Sequence, residues 1–388
     1  MIENFDTELR EILPEIYDLR WQIHRNPELG YEEFATTDAI ENCLKKYGVI
    51  FKRFENMTGG YAIISNNKEK TLCFRADIDA LPIEEQTGIE NTSQNHGKMH
   101  ACGHDVHTSL AVGLAIILQK NRTKLNKNII ILFQAAEECN PRGGAKSVIE
   151  SGFFKKNNVE SIMGLHIWPS LQVGTIAVKN GVQMGSSDKF IIDIKGKNSH
   201  AAEPHKGVDA ILISMDLVGW LVQKLKREIK GDENFVLTIG AINSKGRYNI
   251  VCGEVKIEGT IRTVSEETRE YVHKRINEIS KLISNLYGGD AEVNILRGYD
   301  TVRNDRELTL EFIEKSKKVL GEENVITDQS TTMIGEDFSF YGNVLPACYF
   351  FLGCDSIYPL HNDKFLPNER CIEEGINLLK EYFLNNTP

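Results

Sequence analysis

The sequence predicts an α/β protein in two parts: helices on a mostly parallel central sheet, interrupted by an inserted ferredoxin-like domain of order β-α-β-β-α-β. Three observations carry this prediction. Short β runs alternate with helical patterns through the first half, the arrangement that builds a parallel sheet covered by helices. The run "NIIILFQAA" (128–136) is almost unbroken in apolar character, as a strand buried on both faces requires. Near Ser186 the pattern changes to period-two alternation, and after Gly298 the helix–strand alternation returns. A chain of 388 residues is long for one domain and suits two. The boundaries read as 1–184 with 299–388 for a discontinuous α/β domain, and 185–298 for the insert.

The elements follow in order. The opening stretch "MIENFDTELREILPEIYDLRWQIHRNPELG" is charged and reads as a helix. The runs "YAIIS" (61–65), "TLCFRA" (71–76), 128–136, "SIMGLHI" (161–167) and "GTIAV" (174–178) read as strands, and the clearest helix between them runs from His104 to Lys120. In the insert, "DKFIIDIKG" (188–196) alternates with period two, and "VDAILISMDLVGWLVQKLK" (208–226) is a long amphipathic helix. Two strands follow, "NFVLTIGAI" and "EVKIEGTIRT", then a helix at 266–288 and a last strand, "AEVNILRG" (291–298). A helix at 305–320, the strand "CYFFLG" (348–353) and a helix at 370–384 complete the chain.

Composition excludes several functions. Hydrophobic residues make up 41% and charged residues 26%, as in a globular protein with a sizeable core. The net charge of −10 argues against a nucleic-acid groove or an anionic membrane surface as partner. The N-terminal stretch has no apolar h-region of a secretory signal. No apolar run approaches the roughly 18 residues a membrane span needs. Eight cysteines occur without a C-x-x-C pair, which fits reduced thiols and a cytoplasmic location.

Chemistry-bearing residues cluster in a few places. "MHACGHDVHT" (99–108) sets Cys102 and His104 two residues apart at a helix start, with His100, Asp105 and His107 beside them. A thiolate and an imidazole so spaced can converge on one metal ion, although residues at a helix mouth also serve as packed or capping groups. Glu137 and Glu138 end the buried strand, where α/β sheets form their sites. Adjacent carboxylates there are costly unless a cation or proton neutralises one, so one suits a ligand and the other a general base. His166 and His361 fall at the end of a strand and in the loop after one. Five groups, Cys102, His104, Glu138, His166 and His361, would suit two metal ions sharing ligands, leaving Glu137 as base.

Asp77 and Asp79 read as orienting partners of the imidazoles or as turn residues, and Glu336 and Asp337 as caps of a helix. In the insert, His200 follows the first strand, Asn249 precedes the third and Arg262 ends it. An amide with a guanidinium makes a carboxylate receptor, although a surface salt bridge also accounts for Arg262.

Taken together the chain resembles the M20 family of metallopeptidases and amidohydrolases, in its aminoacylase-like branch of hippurate hydrolases, N-acyl-amino-acid deacylases and auxin-conjugate hydrolases. The resemblance rests on "HRNPELGYEE" (24–33), "RADIDALP" (75–82), "MHACGHDVHT" (99–108), "QAAEE" (134–138), "GGAKSVIESG" (143–152), "GLHIWP" (164–169), "SHAAEPHKGVDA" (199–210), "GEDFSFY" (335–341) and "LHNDKF" (360–365). It implies a zinc-peptidase-like catalytic domain with an inserted lid and dimerisation domain. It also implies a homodimer and two divalent ions per subunit (manganese, zinc, cobalt or nickel) held by Cys102, His104, Glu138, His166 and His361.

By the same resemblance Glu137 is the general base, His200 reaches the substrate carbonyl of a partner subunit, and Asn249 and Arg262 hold the substrate carboxylate. The substrate implied is an N-acyl-L-amino acid, acetylated or aroylated. A dipeptidase or carboxypeptidase and an N-acetyl-diaminopimelate deacetylase share this site, as would a metal-binding dimeric module without the base. A cysteine hydrolase built on Cys102 would leave Glu138, His166 and His361 unexplained. Cys252, Ser199 and Glu203 depart from the family's usual residues.

Overall fold

A computed structural model of the chain describes residues 7–231 and 233–384; the first six residues of the opening stretch lie outside the described residues. The chain divides into two compact units. One comprises the described residues up to Gln183, Arg303–Ser330 and those from Asp337 onward; the other comprises Met184–Val302 and Thr331–Glu336.

The first unit begins with α1 (Thr7–Arg25), which buries Leu9, Ile12, Leu13, Ile16, Leu19 and Ile23 at helical spacing. α2 (Phe34–Lys46), β1 (Ile50–Arg53), β2 (Gly59–Ile64) and β3 (Thr71–Asp77) follow. Then come α3 (His104–Lys120), β4 (Asn128–Gln134) and β5 (Val159–Trp168). α2 and β1 carry patterns too short or too polar to be read from sequence. The strand Ala347–Gly353 pairs parallel to β5, β5 to β3 and β3 to β4, while β2 and β1 add antiparallel strands at one edge. Every residue of β3 is buried, as a strand covered on both faces demands.

α3 is apolar all round and buried from His104 to Leu118, with α1 and the helix Arg370–Leu384 packed against it. Gly113 permits that approach, since a Cβ there would lie 2.5 Å from Ile376 Cδ1. Because the four central strands run parallel, their carboxyl ends share one edge, and the candidate ligands fall there. Among the described residues, no helix is long and apolar enough to cross a membrane.

The second unit is a four-stranded antiparallel sheet in the order Phe235–Ser244, Glu254–Thr263, Ser187–Lys195, Asp290–Tyr299. With chain order β-α-β-β-α-β, that arrangement is ferredoxin-like. Phe190, Ile192, Ile194, Val255, Ile257 and Ile261 from the sheet form one core with Ile213, Leu217, Val272, Ile276 and Ile279 of the helices Ala210–Gly219 and Glu266–Leu286.

The helix predicted over 208–226 is α-helical only to Gly219, and continues as a wide five-residue turn, Trp220–Lys224, and a 3₁₀ turn, Leu225–Glu228. The buried leucines explain this. Leu217, Leu221 and Leu225 recur every four residues, so in a helix of about 3.6 residues per turn they drift off the buried face. Widening the turn returns them to phase.

Candidate metal centre

Cys102 and His104 lie on either side of Gly103, whose φ of +82° makes the sharp turn into α3. Glu137 and Glu138 follow the end of β4, His166 lies near the end of β5, and His361 sits in a loop tied by its N–H to Ala101 O at 2.8 Å. All six come together. Ligand atoms of Cys102, His104 and His166 lie within 4.8 Å of one another, as do those of Cys102, Glu138 and His361, and those of His104, Glu137 and Glu138. The five predicted ligands thus fall into two triads that share Cys102.

The individual contacts fit cations. His166 Nδ1 donates to Ile167 O at 2.7 Å, which turns Nε2 toward Cys102 Sγ at 3.2 Å. His104 Nδ1 faces Asp79 Oδ1 at 3.3 Å, and its Nε2 is buried with no hydrogen-bond partner among the described residues. Glu138 Oε1 lies 3.2 Å from His361 Nε2, yet makes no hydrogen bond of good geometry among the described residues. Two buried polar atoms left without hydrogen bonds, beside a thiol and imidazoles, are the pattern a soft or borderline divalent ion satisfies.

Electrostatics agree. Burial pushes the Cys102 thiol well up, and Glu138 and Glu137 push it further, so it becomes a thiolate only against a nearby positive charge. Burial opposes charge on His104, but Asp77 and Asp79 outweigh it and lift the imidazole to about 10. His166 is held well below its usual range, first by burial and then by His107. Burial raises Glu138, but the nearby imidazoles of His361 and His104 outweigh it and lower the group.

The other polar residues of 99–108 serve elsewhere. His107 has both nitrogens engaged: Nδ1 with Asp77 Oδ1 at 2.6 Å, and Nε2 accepting the Ile167 N–H at 2.9 Å. Asp105 accepts from Arg20 Nε at 3.0 Å and pairs with His24 Nδ1 at 2.9 Å. His100 is buried with neither nitrogen hydrogen-bonded among the described residues, and burial lowers it to about 3.

Asp77 and Asp79 are not turn residues alone. Asp79 bridges two ligand segments, since its Oδ2 also accepts the Glu138 N–H at 2.9 Å. Asp337 serves more than its own helix start, for its side chain caps the helix Ala145–Glu150. Its Oδ1 pairs with buried Arg75 Nη2 at 2.8 Å, its Oδ2 accepts the Ala145 N–H at 2.9 Å, and its own N–H donates to Glu137 Oε1 at 3.3 Å. Arg75, Gln134 and Glu33 were not singled out from sequence, where nothing marks a polar residue as buried.

In the second unit, His200 and Asn249 are neighbours. His200 pairs with Ile250 across two short strands, and the Ala201 N–H donates to Asn249 O at 3.1 Å. The Ala202 N–H donates to His200 Nδ1 at 3.1 Å, which leaves the exposed Nε2 as the protonated nitrogen. Arg262 is half-buried on the strand Glu254–Thr263, and burial lowers its pKa. Its guanidinium has no ion-pair partner within salt-bridge distance among the described residues. Cys252 Sγ donates to Glu254 O at 3.1 Å, and Glu203 pairs with Lys206.

Ligating side chains and an extra carboxylate at the strand ends of an α/β sheet define a metal-binding hydrolase. The chain belongs to peptidase family M20/M25/M40, whose profile matches residues 73–385. It is 37% identical over 375 residues to an N-acetyldiaminopimelate deacetylase of Bacillus subtilis (strain 168), covering 96% of this chain and 98% of the relative. It is 35% identical over 380 residues to an N-acetyl-L-cysteine deacetylase of the same organism, covering 98% and 90%. Among solved structures it matches the Bacillus subtilis YXEP protein, a dinuclear metal-binding peptidase of the M20 family, with a TM-score of 0.84, 30% identity and coverage of 97% and 98%. The chain is accordingly an M20-family hydrolase of amide bonds.

Proposed function

We propose that this protein is a binuclear metal-dependent amidohydrolase that releases the amino acid and the carboxylate from N-acyl-L-amino acids, acetylated ones foremost. The observation that carries it is the pair of ligand triads sharing Cys102 with Glu137 alongside. Cys102, His104, Glu138, His166 and His361 would hold the ions, and manganese, zinc, cobalt or nickel each suits such a donor set. When bound, they polarise the amide carbonyl and lower the pKa of water. The deacetylase relatives favour an acetyl group.

Glu137, fixed by the Asp337 N–H, takes a proton from the attacking water and returns it to the leaving amine. The protonated Nε2 of His200 is a donor suited to an oxyanion, and we assign it to the substrate carbonyl of a partner subunit. Asn249 and the unpaired Arg262 guanidinium are assigned to the substrate α-carboxylate. A homodimer follows from that assignment, and eight cysteines without a C-x-x-C pair fit a cytoplasmic location. The strand Phe235–Ser244 is paired on one side only, and the helix Ala210–Gly219 exposes Ile211, Leu212 and Met215, surfaces that suit a second copy.

The test is hydrolysis of a panel of N-acyl amino acids and dipeptides after chelation and again with each metal restored. Activity confined to the restored protein and to acyl amino acids supports the reading; preference for dipeptides makes it a peptidase; activity without metal sinks it. Glu137→Gln should bind metal normally and lose roughly 10³-fold in kcat. Turnover near that of the wild type would refute its role as base.

A further inference from the structure

The buried carboxylate of Glu33 belongs to none of the groups assigned above. It lies where the chain enters α2, fully buried. Oε1 accepts the Ala136 N–H at 2.7 Å, and Oε2 accepts the Thr58 hydroxyl. No Arg, Lys or His side chain pairs with it among the described residues. A carboxyl placed so far from water without a cation is costly, and burial with the nearby Asp79 charge pushes it up to about 7.

Ala136 is the residue that turns the chain after β4. Its φ is +58°, a left-handed conformation that an L-residue with a Cβ adopts only when its surroundings enforce it. The next two residues are Glu137 and Glu138. Gly30, on the same N-terminal segment as Glu33, packs against this turn; a Cβ there would lie 3.0 Å from Ala136 Cα. The Ala136 carbonyl in turn accepts the Gly144 N–H at 3.0 Å.

We propose that Glu33 is a positioning residue: by holding the Ala136 N–H it keeps the left-handed turn that delivers Glu137 and Glu138 to the metal centre. This rests on the metal reading above. What the turn needs is an acceptor at the reach of a glutamate, not a negative charge. Gln keeps the reach without the charge, and Asp keeps the charge without the reach. Ala removes both and leaves a buried N–H unpaired.

The experiment is calorimetric titration of chelator-stripped full-length protein with Mn²⁺, alongside thermal melting and kcat. Glu33→Ala and Glu33→Asp should bind Mn²⁺ about 10- to 100-fold more weakly, in the range of other changes behind a ligand, and lose kcat more than KM changes. Glu33→Gln should keep most of the affinity. Adding Ala136→Gly to Glu33→Ala should restore part of it, because glycine adopts the turn without help. Leu44→Ala, a buried residue of the same helix, should lower the melting temperature and leave Mn²⁺ affinity unchanged.

Wild-type affinity in folded Glu33→Asp or Glu33→Ala would overturn the proposal, as would equal weakening in Leu44→Ala. If Glu33→Ala does not fold, the Asp–Gln contrast decides, and an Asp variant tighter than the Gln variant refutes it. Wild-type protein that takes up no Mn²⁺, zinc, cobalt or nickel would sink the metal reading itself, and this inference with it.

Discussion

Asp79→Asn is the sharpest single-atom test of how the centre is built. Asp79 Oδ1 faces His104 Nδ1 and Oδ2 accepts the Glu138 N–H, so two acceptors serve two donors on different segments. An asparagine has one acceptor oxygen. With that oxygen toward Glu138, its amide donates to His104 Nδ1 and moves the imidazole proton to Nε2, the nitrogen needed for ligation. With the oxygen toward His104, two donors oppose each other at Glu138. The first arrangement forfeits the ligating tautomer of His104 and the second the Glu138 N–H bond; losing one such bond to a charged acceptor costs about 2 kcal/mol, which is roughly thirty-fold in metal affinity. The assay is competition titration of Zn²⁺ against a chromophoric chelator on folded apo-protein, with circular dichroism confirming the fold. Wild-type affinity in Asp79→Asn would show that Asp79 does not set the His104 tautomer.

Two further changes probe the two units. Gly103→Ala places a Cβ 2.3 Å from Ile167 Cδ1 at a φ of +82°, between the two candidate ligands Cys102 and His104. It should cost roughly 2–4 kcal/mol of stability and weaken metal binding, read by urea unfolding and the same titration; an unchanged midpoint would refute the strain argument. In the second unit, Asp188 accepts from Arg269 Nε at 2.8 Å, from the Gly298 N–H at 2.9 Å, and pairs with His273 Nε2 at 2.7 Å. Burial raises its carboxyl, but the Arg269 and His273 hydrogen bonds outweigh it and hold the group well below the usual range. A depressed carboxylate contributes stability above its unfolded pKa of about 4 and loses it as pH falls below that. Asp188→Asn should therefore cost about 3 kcal/mol at pH 7, with the gap to wild type closing below pH 4; a gap independent of pH would refute the assignment.

Much of the site was legible because its residues stand where an apolar run stops. Glu138 and His166 sit at the ends of strands whose neighbours are Val, Ile, Leu and Phe, so periodicity alone located the edge on which they meet. The ferredoxin-like order was legible for a similar reason, with period-two alternation over 188–196 marking where the pattern changes. His107 shows the limit of that approach. One helical turn from His104, it shares the same face, yet its ring is spent on Asp77 and a backbone amide of β5. Spacing reports direction from the helix axis and says nothing of what waits there. The same limit hid residues 331–336, which pack with the second unit although no change in pattern marks them.

Sequence reported the polar layer behind the candidate ligands only in part: Asp77 and Asp79 read as orienting partners, but what holds them in turn lies far along the chain. Arg75 reaches Asp77 Oδ2 at 2.7 Å, Gln134 Oε1 at 2.9 Å and Asp337 Oδ1 at 2.8 Å, the last a partner 262 positions away. Tyr341 OH donates to the same Gln134 Oε1 at 2.7 Å. Through Asp77 the network holds His107, which holds the Ile167 N–H beside His166; through Asp337 it holds Glu137. One buried cation thus ties the ends of β3, β4 and β5 to the segment that carries Asp337. An apolar core of the same volume would pack these strands as well, but apolar contacts tolerate a slide of several tenths of an ångström, whereas hydrogen bonds to charged groups weaken steeply with misalignment. Ligand atoms that must converge from four separate chain segments need the second kind of contact. That requirement accounts for so much buried charge standing directly behind the candidate centre.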